Sequence, residues 1–356
     1  MKLWVYVIRR LILLIPTLLG LTFLMFALTH VGGTDILLAE YMNPHLSGAA
    51  RDAATKALIA RFHLNEPLYV QYFYWLWQVL QGDLGTSVYA SGIPVTTAIE
   101  LFMPNTLLLT LVASALTWVI AVPMGVYSAV RRDSLLDQSI RVGSFTLYSM
   151  PFFLIGFIVL IVLGLTWPIV AFPIGNLNPI LYLQLNNASW WDSSLSISTP
   201  THILAFDAAL HGYWGVAWDA FLHSLLPSLS LTLALLAGIV RILRASMLEV
   251  LEQDYIRLAR AKGVPERFVD SLHAKRNALL PTITSFGYLV AGLLGGVVVI
   301  EQIFNYKGIG WWTTQALLNG DTGAILGSTF IFGILLVATT LILDLLYAFL
   351  DPRIRY

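Results

Sequence analysis

The chain has 356 residues, 58% of them hydrophobic and 11% charged, with 20 basic and 20 acidic residues and a mean hydropathy of +0.77. A soluble domain carries about 25% charged residues, so most of this chain is built to meet lipid. The zero net charge offers nothing to a nucleic acid, and the absence of cysteine excludes disulfides, thiolate metal sites and a cysteine nucleophile.

A transmembrane helix needs about 20 mostly apolar residues. Six stretches qualify: Leu11–Thr29, Asn105–Val130, Val142–Leu165, Leu222–Val240, Thr282–Ile300 and Ala324–Leu343, none of which contains Asp, Glu, Lys or Arg. The first is longer than the apolar core of a secretory signal, about 7–15 residues, and is expected to stay as an anchor. Pro123 and Pro151 should kink the second and third spans if the helices continue through them. A seventh apolar stretch, Thr166–Leu185, holds Pro168, Pro173, Gly175 and Pro179. Those breakers would leave backbone groups unpaired in hydrocarbon, so it reads as external or interfacial.

Charge sets the orientation. Sixteen of the 20 Lys and Arg residues fall at the two ends of the chain, in the loop after the second span and in the loop after the fourth. That leaves Arg51, Lys56, Arg61 and Lys307 for the opposite side, and residues 166–221 carry none. Six spans with both termini cytoplasmic fit this alternation. Residues 1–104 then comprise the first span and an external segment. Residues 105–356 form a five-helix core with a cytoplasmic loop at 244–281 and an external insertion at 166–221.

Outside, Ala49–His63 has helical spacing and mixed charge, Gln71–Leu80 is aromatic and suits the interface, and Gly82–Ser87 reads as a turn. Trp190, Trp191, Trp214 and Trp218 cluster in the second external segment. They fit either an aromatic belt or a surface for an external protein.

The loop after the fourth span is the most structured polar segment. Met247, Leu251, Tyr255 and Leu258 share one helical face, which predicts that the fourth span continues out of the membrane as an amphipathic helix. Gly263 suits its C-terminal cap. Pro265 and Glu266 suit the first turn of a second, short helix. On that helix Val264, Phe268 and Leu272 form an apolar stripe, and Pro281 is expected to open the fifth span. Such a helix fits docking into a groove of another protein; the pattern alone fits a lipid-surface helix equally well. In the fifth span, Ala291 with Gly295 and Gly292 with Gly296 are small-residue pairs that permit close helix approach, either for packing or along a pathway.

Tyr255, Arg257, Ala259, Arg260, Ala261, Lys262 and Gly263, followed by His273, Ala274, Arg276, Asn277, Ala278, Leu279, Leu280 and Pro281, resemble the EAA loop of ATP-binding-cassette importer permeases, in the form found in the dipeptide, oligopeptide and nickel branch. The likeness extends to Arg9 through Thr17, to Gly82–Ser87 ahead of Pro104–Leu107, to Gly295 through Phe304 with Gly308-Ile309-Gly310, and to Asp344–Arg353. Arg257 and Leu258 stand where the general family motif has Glu and Ala. Lys307 stands where the branch commonly has Pro, and Asp321-Thr322-Gly323 where it has Asp-Tyr-Pro; these two differences bear on the external loop. The external segment around Asn176–Trp218 is also longer than the branch leads one to expect.

The resemblance implies an all-α integral membrane protein with the type I importer permease fold. It implies half of a pathway for di- or oligopeptides, with nickel or oligosaccharides as alternative cargo. The partners would be a second homologous permease, two ATP-binding-cassette ATPases holding ATP and Mg, and an external or periplasmic substrate-binding protein, in the cell membrane. Gly263 would be the hinge of the coupling helix. Val264, Phe268 and Leu272 would be its apolar contacts, and Arg260, Lys262, Glu266 and Arg267 its polar flank, with Arg257, Ala259 and Pro265 in the same motif. No GxxxxGK[ST] phosphate loop, HExxH or GxSxG is present, so the chain has no visible ATPase, metalloprotease or lipase machinery and no catalytic residue of its own. The scattered His211, His223 and His273 read as structural rather than metal-binding. Asp344, near the cytoplasmic end of the sixth span, reads as a structural hydrogen-bond partner. A stand-alone carrier or channel is the other class to weigh. Against it stands the absence of ionised residues inside the spans.

Overall fold

The computed structural model describes residues 3–30, 38, 47–87, 92–166, 174–185, 188–192 and 197–350. These are almost wholly helical. The sheet among them is a pair of two-residue strands, β1 (Trp191–Asp192) and β2 (Ile197–Ser198), paired antiparallel. The chain divides into two compact units, one of Trp4–Met103 with Gly308–Val337, the other chiefly of Pro104–Lys307 with the C-terminal part from Ala338.

In the first unit, α1 (Leu3–His30) and α3 (Leu68–Leu80) meet where the hydroxyls of Thr22 and Tyr72 lie 2.9 Å apart and Phe26 packs edge-on against the Tyr72 ring. α2 (Gly48–Arg61) lies between them in sequence and buries none of its side chains. Only one face of α3 is covered. Tyr72 and Val79 are buried, whereas Tyr69, Phe73 and Trp77 stay exposed. After α3, Gly82 and Gly85 take the left-handed conformation that lets the chain reverse twice within four residues. The reversed chain packs Leu84 and Val95 with Trp312 of α13 (Ile309–Leu318) and Ala324 at the start of α14 (Thr322–Leu350). A methyl group on Gly327 would overlap the Val95 side chain, so glycine is what permits that close approach.

The second unit is centred on α9 (Trp214–Leu251), which packs along α12 (Lys275–Phe304). Around them lie α4 (Val95–Val130) from Pro104 onward, α5 (Leu135–Ser149) and α6 (Phe152–Val159), the last running on into a wide π-helical stretch, Leu160–Thr166. Leu109, Leu231, Leu235, Val297 and Phe304 form the apolar centre. At one end, Asp137 is fully buried yet satisfied. It accepts from Ser128 Oγ, from the Asp133 N–H at 3.0 Å, and from Arg244 Nε and Nη2 at 2.8 and 3.0 Å. This many donors are what allow a carboxylate in such a place.

The segment after the π-helical stretch builds a small core of its own. α7 (Tyr182–Leu185), the two strands and α8 (Leu204–Leu210) enclose Leu177, Leu185, Trp190, Trp191, Leu204 and Val216. Asp207 is buried beneath it, accepting from the Ser198 hydroxyl at 2.7 Å and from the Thr201 N–H and hydroxyl at 2.9 and 2.7 Å. The segment is tied to the end of α12 through the main chain. The Gly175 N–H donates to the Phe304 carbonyl at 2.8 Å, and the Lys307 N–H donates to Asn176 Oδ1 at 2.8 Å. Asn105 Nδ2 donates to the Lys307 carbonyl at 2.9 Å.

Three helices among the described residues are long and apolar enough to cross a membrane, and two bent helix pairs raise that number to as many as five. α1, from Leu3 to His30, takes in the whole of the first expected span. Other expectations are corrected. The third span is not one helix. Pro151, which cannot donate to the preceding turn, separates α5 from α6, and the two axes differ by 112°. α4, by contrast, runs through both Pro104 and Pro123 as one helix. Pro281 does not open a helix, since α12 already begins at Lys275. Trp190 and Trp191 are core residues of the small segment that holds β1 and β2, and of the four clustered tryptophans only Trp214 and Trp218 remain exposed.

Candidate functional site

The predicted site residues lie between the end of α9 and the start of α12. α9 stops at Leu251, and a turn at Glu252 and Gln253 separates it from α10 (Asp254–Ala261). The continuous helix expected from Met247 through Leu258 is therefore broken, and the break resets the phase. Met247 is buried, Tyr255 and Leu258 are exposed, and Ile256 is fully buried in their stead. Ile256 joins Met247, Leu243, Val269, Ala274 and Ala278 in one apolar cluster, with Ala259 and Val264 packed partly against it.

α10 ends as expected at Gly263, which has φ +76. Its N–H donates to the Arg260 carbonyl at 2.9 Å, and the Val264 N–H reaches back to the Ala259 carbonyl at 3.2 Å. These bonds close the end of α10 around a left-handed glycine and satisfy carbonyls that a helix end otherwise leaves open. Across the turn Arg260 grips Glu266 with both nitrogens, Nε at 2.9 Å and Nη2 at 3.3 Å. The pair is solvent-exposed and contributes at most about 1 kcal/mol, but its two-pronged geometry fixes the direction in which the chain leaves the turn. Pro265 then precedes α11 (Glu266–Phe268) with φ −58.

α11 is not a separate short helix. It passes without a break into a π-helical stretch, Val269–Ala274, and on into α12. The wider turn shifts which side chains face inward. Val269 and Ala274 are fully buried, whereas Phe268 and Leu272 are each 55% exposed. Two aliphatic or aromatic side chains thus stand in solvent on a segment braced by a buried valine beneath them. Arg257, Lys262 and Arg267 are exposed around them. Burial raises the Asp270 carboxyl above the usual carboxylate range, and the nearby Glu266 charge adds to the effect.

The structure therefore brings Arg260, Gly263, Val264, Pro265 and Glu266 together as one closed turn, with Phe268 and Leu272 exposed just beyond it. Val264 differs from the other two stripe residues in being partly buried against the loop's own core. Ile256 and Val269 position the site and were missed by the sequence reading. The signal available was the absence of a second apolar face: once the helix breaks at Gln253, Ile256 is the only β-branched residue left in α10.

The small-residue pairs of the fifth span are only partly described. Ala291 is buried, Gly292 is exposed, and the surroundings of Gly295 and Gly296 lie outside the described residues, as does the side chain of Asp344. His211 stacks on Trp190 with centroids 4.7 Å apart, His223 Nδ1 lies 3.2 Å from Asp219, and His273 is half-buried in the π-helical stretch. Among the described residues no three His, Cys, Asp or Glu side chains gather as a metal site.

Similarity to known proteins covers nearly the whole chain. The oligopeptide transport system permease protein AppB of Bacillus subtilis is 38% identical over 351 residues, 99% of each chain. The dipeptide transport system permease protein DppB of Escherichia coli K12 is 36% identical over 354 residues, covering 99% of this chain and 98% of that one. The di/tripeptide transport system permease protein DppB of Pseudomonas aeruginosa is 33% identical over 357 residues, with 99% and 98% covered. Residues 121–356, which include the whole candidate site, match the family described as binding-protein-dependent transport system inner membrane component, and the chain is a member of that family.

Proposed function

We propose that the chain is one of two permease subunits of an ATP-driven importer of di- or oligopeptides in the cell membrane. The observation that carries this reading is the full-length similarity to permeases named for dipeptides, di/tripeptides and oligopeptides. Six spans, with both termini and the loop at 244–281 on the cytoplasmic side, are the arrangement most consistent with the charge distribution. The sixth would be α1, a 28-residue helix and long enough to span, at 1.5 Å per residue.

Phe268 and Leu272 would enter a groove on an ATPase subunit, with Arg260, Lys262, Glu266 and Arg267 at its rim. Each of the two ATPases would hold one permease loop and would supply ATP and Mg, for which this chain has no phosphate loop. An external binding protein would deliver the peptide. The continuous backbone from Glu266 through the π-helical stretch into α12 gives a direct mechanical route: displacement of Phe268 is displacement of the start of a long apolar helix. For the loop to drive alternation, the ATPase dimer must bind it differently in its open and closed states, since a partner with equal affinity for both conformations shifts nothing.

The test is purification of the chain from its native membrane in mild detergent, followed by uptake of labelled di- and tripeptides into vesicles containing what co-purifies. A second permease, ATPases and ATP-dependent peptide uptake are expected. Recovery of the chain alone, moving solute without ATP, would make it a carrier or channel instead.

A further inference from the structure

Along α9 runs a seam with two adjacent cavities, the upper between α5 and α9 and the lower bounded also by α6 and α12. The upper one, of about 310 Å³, is walled by Ser144, Phe145, Tyr148, Ala237 and Val240, and three arginines, Arg141, Arg241 and Arg244, stand at its mouth. No acidic side chain lines it. Arg244 and Arg141 are engaged by Asp137 from behind, at 2.8 and 3.5 Å, and Arg141 is also met by Asp133 at 3.7 Å. Arg241 has no carboxylate partner among the described residues; its guanidinium lies over the Tyr148 ring, 4.2 Å from the centroid. The lower cavity, of about 370 Å³, shares Tyr148 and is apolar, with Leu147, Met150, Ile155, Leu235 and Leu289 among its walls.

The two cavities follow the same helix. The lower touches Ala234, Leu235 and Gly238 of α9, and the upper touches Ala237 through Ala245. Ten residues of α-helix, from Ala234 to Arg244, rise about 15 Å, half of a hydrocarbon core about 30 Å thick. The guanidinium groups begin at Arg241, where the apolar run of α9 ends. The seam thus has the length of one leaflet, an apolar lower half and a cationic mouth at the level where lipid phosphates lie. A peptide would need partners for its backbone amides along the lower cavity, whose walls are almost wholly apolar. Another protein chain would need neither the depth nor the guanidinium of Arg241, which no carboxylate meets among the described residues.

We propose that this seam is a binding site for one anionic glycerophospholipid, its phosphate held by Arg241 and Arg141 and one acyl chain lying in the lower cavity. Arginine suits the headgroup because its planar fork meets two phosphate oxygens at once, and a cluster of basic side chains between helices at the cytoplasmic face is the electrostatic condition for selecting anionic over zwitterionic lipid. The proposal rests on the chain spanning a membrane as a permease with this end cytoplasmic. The experiment keeps the two apart, because the partners that co-purify report on the permease reading and the retained lipid reports on the seam.

The intact complex is reconstituted into nanodiscs of equimolar phosphatidylglycerol and phosphatidylcholine, stripped with detergent, and the lipid still bound is identified by native mass spectrometry. Retention of phosphatidylglycerol in several-fold excess over phosphatidylcholine is expected. The double variant R141Q/R241Q should lose that excess. Ala245→Trp, which fills the exposed mouth without changing its charge, should lower total retained lipid in a complex of unchanged composition. Equal retention of the two lipids by the unaltered complex would overturn the proposal. So would undiminished phosphatidylglycerol in R141Q/R241Q, or unchanged total lipid in Ala245→Trp.

Discussion

Ser87 donates a 2.6 Å hydrogen bond to Asp321, a residue 234 positions away, and both side chains are buried. The second carboxylate oxygen of Asp321 accepts the Ala324 N–H at 2.9 Å and so caps the first turn of α14. One carboxylate thereby fastens the turn after α3 to the start of α14. The departure from an Asp-Tyr-Pro sequence at 321–323 leaves this contact intact, because it depends on the aspartate alone.

Asp321→Ala should destabilise the protein by about 1–3 kcal/mol, the cost of losing a buried hydrogen bond and a helix cap together. Asp321→Asn, which can still accept from Ser87, should recover much of that loss. Thermal unfolding of the detergent-solubilised complex distinguishes the two. Identical melting of both variants and the parent would show that the buried contact contributes nothing.

Phe268→Asp and Ile256→Ala should fail in different ways. Phe268 is more than half exposed, so Phe268→Asp should leave insertion and melting near those of the parent while abolishing ATP-dependent uptake. Ile256 is fully buried, so Ile256→Ala should cost about 2–4 kcal/mol through the cavity it leaves and should lower the amount of folded complex. Membrane quantity and uptake, measured on the same vesicles, separate lost docking from lost folding. Normal transport by Phe268→Asp would remove the docking role of that side chain.

At Gly263 the left-handed backbone conformation costs an alanine about 1 kcal/mol or more relative to glycine. Gly263→Ala should therefore loosen the turn that Arg260 and Glu266 close, and Gly263→Asn, a residue that tolerates this conformation better, should do less harm. The ordering parent, asparagine, alanine is the prediction, read as peptide-stimulated ATP hydrolysis in the reconstituted complex. Alanine performing as well as glycine would show that the turn opens in use.

Asp270 gives a pH dependence with a definite sign. Its folded-state proton affinity is raised, by burial first and Glu266 second, so the ionised carboxylate is a burden on the folded form at neutral pH. That burden lifts as pH falls through the raised value, and it is gone below the ordinary carboxylate pKa, about 4. Asp270→Asn should melt slightly higher than the parent at pH 7, and the difference should vanish in acid. A variant that melts lower at pH 7 would mean that the charge is stabilising where it stands.

The parts of the site legible in the sequence were those written in backbone chemistry. Gly263 and Pro265 mark the end of one helix and the start of the next whatever surrounds them, and both stand where the spacing put them. The break after Leu251 carries no such mark. Glu252 and Gln253 are good helix formers, and the chain turns there because the turn brings Ile256 into one cluster with Val269, a gain that exists only once the loop has folded back. The same holds for Trp190 and Trp191. Tryptophans in an external stretch read as surface until a local core is known to need them. Pro151 lay between these cases: the residue announced a disturbance, but only the packing of α5 decided that it would be a corner of 112° rather than a bend.

Lys307 lies between two asparagines through its main chain, donating its N–H to Asn176 and accepting from Asn105 on its carbonyl. Neither of these bonds reads the side chain. As far as these two bonds go, the position is open to drift: nearly any residue can take it without breaking either bond, with one exception. Proline has no N–H to give. A homologue with proline there keeps the Asn105 bond and forfeits the Asn176 bond, which leaves the Gly175-to-Phe304 bond to tie the segment to α12. Comparing this chain with such a homologue should show a matched pair of changes, proline arriving at 307 as asparagine becomes dispensable at 176.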